Sequence, residues 1–503
     1  MITQELELFL HGQGARPWSM FATSTETLRE SDQAGLSSQQ MDKDCSRVSP
    51  LGYLRFALVV VLVAAGANAQ PLVTPPLSAN DVSWLFPPPK VAADFGNLIA
   101  MRDLTAPNPQ DPTKRDPVWP DVAFQQFFAI AASPAAQVGG TQSRIGLPAE
   151  AQSMAAWYIA GIRIDAGAPG LSNDIRAQFG QSPEIRLIVQ LVTRSADGTP
   201  VVHDIAGHLI FDFVTQKPSD PASAGCFPRP VPDLVAFSAI VADLAALRTK
   251  LSNGQLGADR IVTSDVPLGI HPGLADKTTA NSVRQEMMSF LERHISGQRL
   301  NSMAIMGLPA GAPAPWIFLA MQRVPPGALP ALPNGGFVPV PGPTLDGQQF
   351  AQMLVPGGQG FHVVPEPHTN NLNAITCENA AVPGGGNLPV AKRSGSSTTE
   401  LFASQPGTPD SVRRILDLIA DPTRSHFFNT DCISCHTETR RAKSLLHDAS
   451  GVNPAAVPNT DWNVRNFGWS PPGEGPLQGT VTRRTAAETA AVVAFINSQM
   501  LDK

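Results

Sequence analysis

Charged residues are scarce in this chain. They make up 16% of its 503 residues and leave a net charge of −6. No basic excess is available to neutralise phosphates, so nucleic acid is not an expected partner. Familiar catalytic signatures are missing as well. No G-x-S-x-G, H-E-x-x-H, P-loop or Rossmann fingerprint occurs, which removes the usual sequence support for the enzyme classes those motifs mark. There is no internal repeat. What remains is ordinary globular material. Apolar residues reach 43%, enough for a sizeable core, and the length suits two or three domains. Pro (48) and Gly (41) are abundant and predict long loops and many turns.

Cysteine is sparse too: Cys45, Cys226, Cys377, Cys432 and Cys435. Cys226 and Cys377 are free to form a disulfide in an oxidising compartment, or to stay as buried thiols.

The N-terminus argues for export. Residues 56–65 read FALVVVLVAA, with Arg47 and Arg55 before them and Ala67-Asn68-Ala69 after. A positive n-region, a short apolar h-region and an A-x-A site make a secretory signal. The apolar run is about half the ~20 residues a membrane span needs, so no stable membrane anchor is expected after cleavage. Residues 1–40 are polar and make the n-region far too long, whereas Met41 opens one of ordinary length. Translation is therefore expected to begin at Met41 and the mature chain at Gln70. The expected location is the periplasm or the extracellular medium.

Three regions follow from the patterning: 1–69, the doubtful extension and signal; 70–395, an α+β domain of unknown role; and 396–503, a small all-α domain. Residues 70–120 are Pro-rich and read as an extended lead-in, and 122–131 as either a strand or a short helix. Residues 155–166, 184–194 and 200–214 are rich in β-branched and aromatic residues and predict strands. Asp197-Gly198 predicts a hairpin turn between the last two. A helix is predicted over 233–252, with Leu234, Phe237, Val241, Leu244, Leu247 and Leu251 on one face, and another over 282–296. Further strands are predicted at 302–306 and 316–324. Residues 325–345 and 378–398 are rich in Pro, Gly and Ser, and the second is the expected domain boundary. Beyond it, 411–420 predicts a helix stopped by Asp421-Pro422. Thr485 and Glu488 predict a capping box ahead of the last helix.

Cys432-Ile433-Ser434-Cys435-His436 is the most specific feature. C-x-x-C-H is the attachment motif of c-type haem. Two thiols spaced this way can add to the two haem vinyls, and the adjacent His supplies a nitrogen ligand to iron. Zinc would want a second ligand pair, and no other C-x-x-C exists. A thioredoxin-like site wants a following helix in a βαβ setting and does not require the His. The expected cofactor is one covalent haem c held by Cys432, Cys435 and His436. Arg465, Arg483 and Arg484 are candidates for the haem propionates, and Phe467 or Trp469 for a wall of the pocket. His203, Asp204, His208 and Asp212 lie on one predicted strand, the last three on one face. That face reads as a polar solvent face rather than a metal site. Phe361-His362 and His368 read as loop residues.

Residues 399–503 resemble the mono-haem cytochromes c: a helix, the CISCH pentad, a loop, then a last helix bearing Phe495. The resemblance implies a small all-α haem domain in which first and last helices cross beside the haem. It also implies a Met as second iron ligand in the loop before the last helix. This chain departs there, because no Met occurs between 437 and 499. Three arrangements stay open. His447 binds the iron; or Met303, Met306, His362, His368 or Met500 does; or the iron is five-coordinate and open. The expected function is electron transfer with a redox partner protein. The alternatives are a haem enzyme working on peroxide or oxygen at an open iron, and a haem-based sensor or binding protein.

Overall fold

Strands with one apolar and one mixed face form the centre of the molecule, as their alternation requires. The computed structural model describes residues 76–132, 136–138, 141–168, 170–171, 176, 181–216, 231–257, 259–307, 315–324, 326, 334–339, 351–357, 360–365, 409–423, 432–459, 465–471 and 475–501. The sheet strands are β1 (Ser83–Leu85), β2 (Trp157–Ala168), β3 (Ser182–Arg194), β4 (Pro200–Asp212), β5 (Leu300–Gly307), β6 (Pro315–Val324), β7 (Gly336–Pro339), β8 (Ala351–Gly357) and β9 (Gly360–Pro365). They form one antiparallel sheet in the order β1-β2-β3-β4-β5-β6-β8-β9, with β7 paired beside β6. The molecule is α+β with a large antiparallel sheet. Asp197-Gly198 makes the predicted β3–β4 turn, with Gly198 at φ +84°, a conformation a side chain would strain.

Register aligns one apolar row across six strands: Trp84, Ile162, Leu187, Leu209, Met303 and Met321 are successive neighbours. All six are buried. Helices α1 (Asp121–Ala132), α2 (Leu234–Ser252) and α3 (Ala280–His294) contribute to this core. Trp84 meets Phe290 of α3 edge-on at 5.1 Å, and Phe213, just beyond β4, meets Phe237 of α2 at 6.3 Å. Residues 122–131 are therefore helix, because Phe124, Phe127, Ile130 and Ala131 are buried at helical spacing. Asp233 caps α2 through Ala236 N–H at 3.0 Å. Leu234 departs from its predicted apolar face: it is the first helical residue and stays exposed.

The C-terminal part holds α4 (Pro409–Ala420), α5 (Cys432–Leu446), the hairpin β10 (Phe467–Ser470) and β11 (Gln478–Val481), and α6 (Arg483–Ile496). Thr482, not Thr485, caps α6, accepting from Thr485 N–H. The predicted capping box fails because Glu488 is drawn to Arg163 and Arg484 instead. Phe361 and His362, expected in a loop, lie on β9. Val73–Lys503 is one compact unit, and Phe467, Trp469, Val481, Val492 and Ile496 belong to the same core cluster as the sheet. The expected boundary at 395–396, the signal region, Cys45, Cys226, Cys377 and His368 lie outside the described residues.

Candidate functional site

The second face of the sheet is where the unusual chemistry gathers. Alternation on β2, β3 and β4 sends Arg163, Asp165, Glu184, Arg186, Asp204, His208 and Asp212 to that face. In register, Arg163 opposes Arg186, Asp165 opposes Glu184, and Glu184 opposes Asp212. A solvent face was expected for Asp204, His208 and Asp212. Instead the C-terminal segment reaches this face. The Phe467 ring lies over Gly161, where an added Cβ would meet it at 2.6 Å. Gln190 accepts from Trp469 N–H and donates to its carbonyl at 2.9 Å. Ser83 and Thr489 share a hydrogen bond of 3.1 Å.

Ion pairs stitch the two parts together. Glu488 bonds Arg163 at 2.8 Å and Arg484 at 2.6 Å. Burial pushes its carboxyl up, but the Arg484 and Arg163 guanidiniums outweigh this and hold it at about 2. Arg186 holds Glu184 at 2.6 Å. Asp165 is pushed up to about 6 by burial and by the Glu184 charge beside it. Arg465 pairs with Asp204 and is 3% exposed. Its Nε and Nη1, and the Nε of Arg163, are buried without a hydrogen-bond partner among the described residues. Unpaired buried guanidinium donors are costly. The anionic oxygens of a bound group are what such donors fit.

The helix that carries the motif is tied to α6, the helix of Glu488. The CISCH pentad opens α5, so one helical turn carries Cys432 and Cys435; their side chains lie outside the described residues. His436 is partly buried. One turn further on, Thr439 Oγ1 accepts from Arg483 N–H at 2.7 Å, and Glu438 meets the Arg483 guanidinium at 3.0 Å. Arg483 also pairs with Asp417 of α4 at 2.5 Å. These bonds tie α5 to the start of α6.

His208 lies on the same face of β4, opposite Ile188 and Ala304. Burial pulls its imidazole down to about 3, with the Arg186, Arg163, His436 and Arg465 charges adding to the effect. It is therefore neutral at pH 7. His208 is partly buried.

Several expected site residues are placed elsewhere. His447 is exposed and closes α5 in the left-handed region at φ +54°. It is eleven residues along from His436, about 16 Å of helix rise, too far to share an iron with it. Arg484 is engaged by Glu488 and by the carbonyls of Ile419 and Asp421 at 3.4 and 3.2 Å, so it ties α4 to α6 rather than waiting for a propionate. Trp469 is fully buried, and its indole donates to Phe86 O at 2.8 Å; it is a core residue, not a pocket wall. Of the proposed propionate holders, Arg465 keeps Nε and Nη1, and Arg483 its Nη1, buried without a hydrogen-bond partner among the described residues. Arg163, Glu488, Glu184 and Arg186 were missed. The available signal was a charged alternation inside strands that are otherwise apolar on both faces. Among the described residues no group of three or more His, Cys, Asp or Glu side chains is arranged to hold a metal ion, and no helix is long and apolar enough to cross a membrane. In comparisons with known proteins, no family model, no curated protein and no solved structure matches the chain.

Proposed function

We propose that the chain carries one covalent haem c on Cys432 and Cys435, with His436 as an iron ligand, and exchanges electrons with a redox partner protein in the periplasm or outside the cell. The observation that carries this reading is the CISCH pentad at the head of α5, whose next turn is tied through Thr439 and Glu438 to Arg483 at the start of α6. Haem, when bound, supplies a metal centre that gains and loses one electron. Arg465 and Arg163 would hold its carboxylates. The resemblance of residues 399–503 to mono-haem cytochromes c is supported by the mutual packing of α4, α5 and α6. The β10–β11 hairpin and the shared core are departures from that family pattern. A covalently held haem walled by charge-paired helices and a rigid sheet suits electron transfer, because little has to reorganise when the charge changes.

A second reading, an enzyme acting on peroxide or oxygen at an open iron, is favoured by the absence of Met between 437 and 499. One experiment separates the two. The full chain is expressed with a haem-attachment system, its haem is counted by pyridine haemochrome, and its reduced spectrum is recorded with and without carbon monoxide. Electron transfer predicts one haem per chain, reversible reduction and no carbon monoxide complex. Rapid peroxide turnover with a reducing donor would reject it, and absence of covalent haem would reject both readings.

A further inference from the structure

We infer that Arg483, the first residue of α6, positions the haem-bearing turn of α5 by holding Glu438 and Thr439, and so sets the orientation of the His436 ligand and the potential of its iron. This deepens the haem reading above and rests on it. Helix geometry defines the joint. Positions three and four apart are neighbours on a helix, so Glu438 and Thr439 both stand one turn on from Cys435, and Thr439 stands one turn on from His436. The first N–H groups of a helix have no partner inside it. In α6 the Arg483 N–H finds its acceptor on another helix, the Thr439 hydroxyl at 2.7 Å. That hydroxyl donates in turn to Glu438 Oε2 at 2.7 Å, and Glu438 Oε1 lies 3.0 Å from Arg483 Nη1. The same guanidinium reaches Asp417 of α4 at 2.5 Å. Three helices thus meet at one arginine.

Burial indicates what such a joint is for. Glu438 and Thr439 are fully buried, and Arg483 is 8% exposed. A buried ion pair loses in desolvation much of what it gains in attraction, so it adds little stability over an apolar contact of the same size. What it does add is a fixed arrangement, because the charges and the hydroxyl have to face one another. An apolar crossing tolerates rotation of a helix about its axis; this one resists it. Groups behind a metal ligand orient that ligand and tune the metal. Glu438 is two residues beyond His436, with Cα atoms about 5.4 Å apart on a regular helix. Turning α5 would therefore turn the ligand, and removing the carboxylate charge would be felt at the iron. Thioethers to Cys432 and Cys435 would keep the haem on α5 in either case, so the joint governs the geometry and potential of the haem rather than its retention.

The test uses the full haem-loaded chain and its Glu438→Gln, Arg483→Gln, Thr439→Val and Thr439→Ser variants, with the double variant Glu438→Gln/Arg483→Gln. Haem content is read by pyridine haemochrome, folding by circular dichroism, ligand orientation by the g-values of the ferric electron paramagnetic resonance spectrum, and the potential by redox titration. Each variant is expected to keep one haem per chain. Glu438→Gln and Thr439→Val are expected to shift the g-values. Glu438→Gln is also expected to raise the potential, because an anion near the iron favours the ferric state. Thr439→Ser keeps the hydroxyl and is expected to match the unmodified protein. The double variant is expected to shift the g-values no further than Glu438→Gln alone, since Arg483 acts through Glu438. Where Thr439→Val does not fold, Glu438→Gln decides, because it keeps the size of the side chain and an acceptor oxygen. The inference is overturned if Glu438→Gln leaves both g-values and potential unchanged, if Thr439→Ser behaves as Thr439→Val does, or if the double variant shows the sum of the two single shifts. A chain without covalent haem overturns the haem reading itself.

Discussion

Two carboxylates in the charged layer have opposite linkage to pH. Asp165 titrates near 6 when folded, above its ordinary value of 3.8, because burial and Glu184 disfavour its charge, whereas Arg163 and the Gly167 amide at 2.8 Å favour it. Its contribution to stability is full below the unfolded value and is lost as pH rises through 6. Asp165→Asn should therefore resemble the wild type at pH 4 and be more stable at pH 7.5 by about 1–3 kcal/mol, seen as a gap in denaturation midpoints that widens with pH. Glu488 behaves in the reverse sense. Its folded value of about 2 lies below its ordinary 4.5, so its contribution is present above 4.5 and is lost as pH falls towards 2. Glu488→Gln should cost about 2–4 kcal/mol at pH 7, since it leaves two guanidiniums short of a partner, and much less near pH 3. These roles were not legible in the sequence. Glu488 stands three residues after Thr485 and fits a local cap, while its real partner, Arg163, is 325 residues away. The CISCH pentad was legible because its chemistry is local.

At the scale of elements, regular alternation and helical spacing were easy to read. The three long strands and α2 and α3 lie within a few residues of their predicted spans. Short or doubly capped elements were not. The tetrapeptides FGWS and QGTV carry too little pattern to announce β10 and β11. Thr482 and Thr485 compete to start α6, and the choice falls to Thr482 because the Thr485 hydroxyl is spent on Asn466 O at 3.1 Å. Thr482→Ala should thus cost about 1 kcal/mol of stability, read from the denaturant midpoint at unchanged slope. Gly161 gives a sharper test of how β10 seats on the sheet. A side chain there would strike the Phe467 ring, so Gly161→Val should destabilise by about 1–3 kcal/mol through overpacking. Phe467→Ala in the same chain should recover part of that loss, because it removes the obstructing ring.

For the whole molecule, the Pro, Gly and Ser content of residues 378–398 suggests a connection, but composition cannot tell a connection from a boundary between independent bodies. Independence depends on who shares a core. Phe467, Trp469, Val481 and Ile496 are buried in the cluster that contains the sheet. A fragment of residues 396–503 would expose them, and the remainder would lose the cover of its charged layer. Expressed alone, that fragment should be insoluble or molten, with no cooperative thermal transition by calorimetry, whereas the full chain should show one.

The last helix ends at Asn497, whose amide accepts from Leu77 N–H and donates to Leu77 O, both at 2.9 Å. This clasp joins the beginning of the described fold to its end, across 420 residues. Contacts of such separation form late and slowly. A chain emerging from the ribosome holds Leu77 long before Asn497 exists, so its core cannot close during synthesis. Such a polypeptide stays threadable until its final residues are made. On the proposed reading, that delay would leave time for transport through a narrow channel and for haem attachment at Cys432 and Cys435.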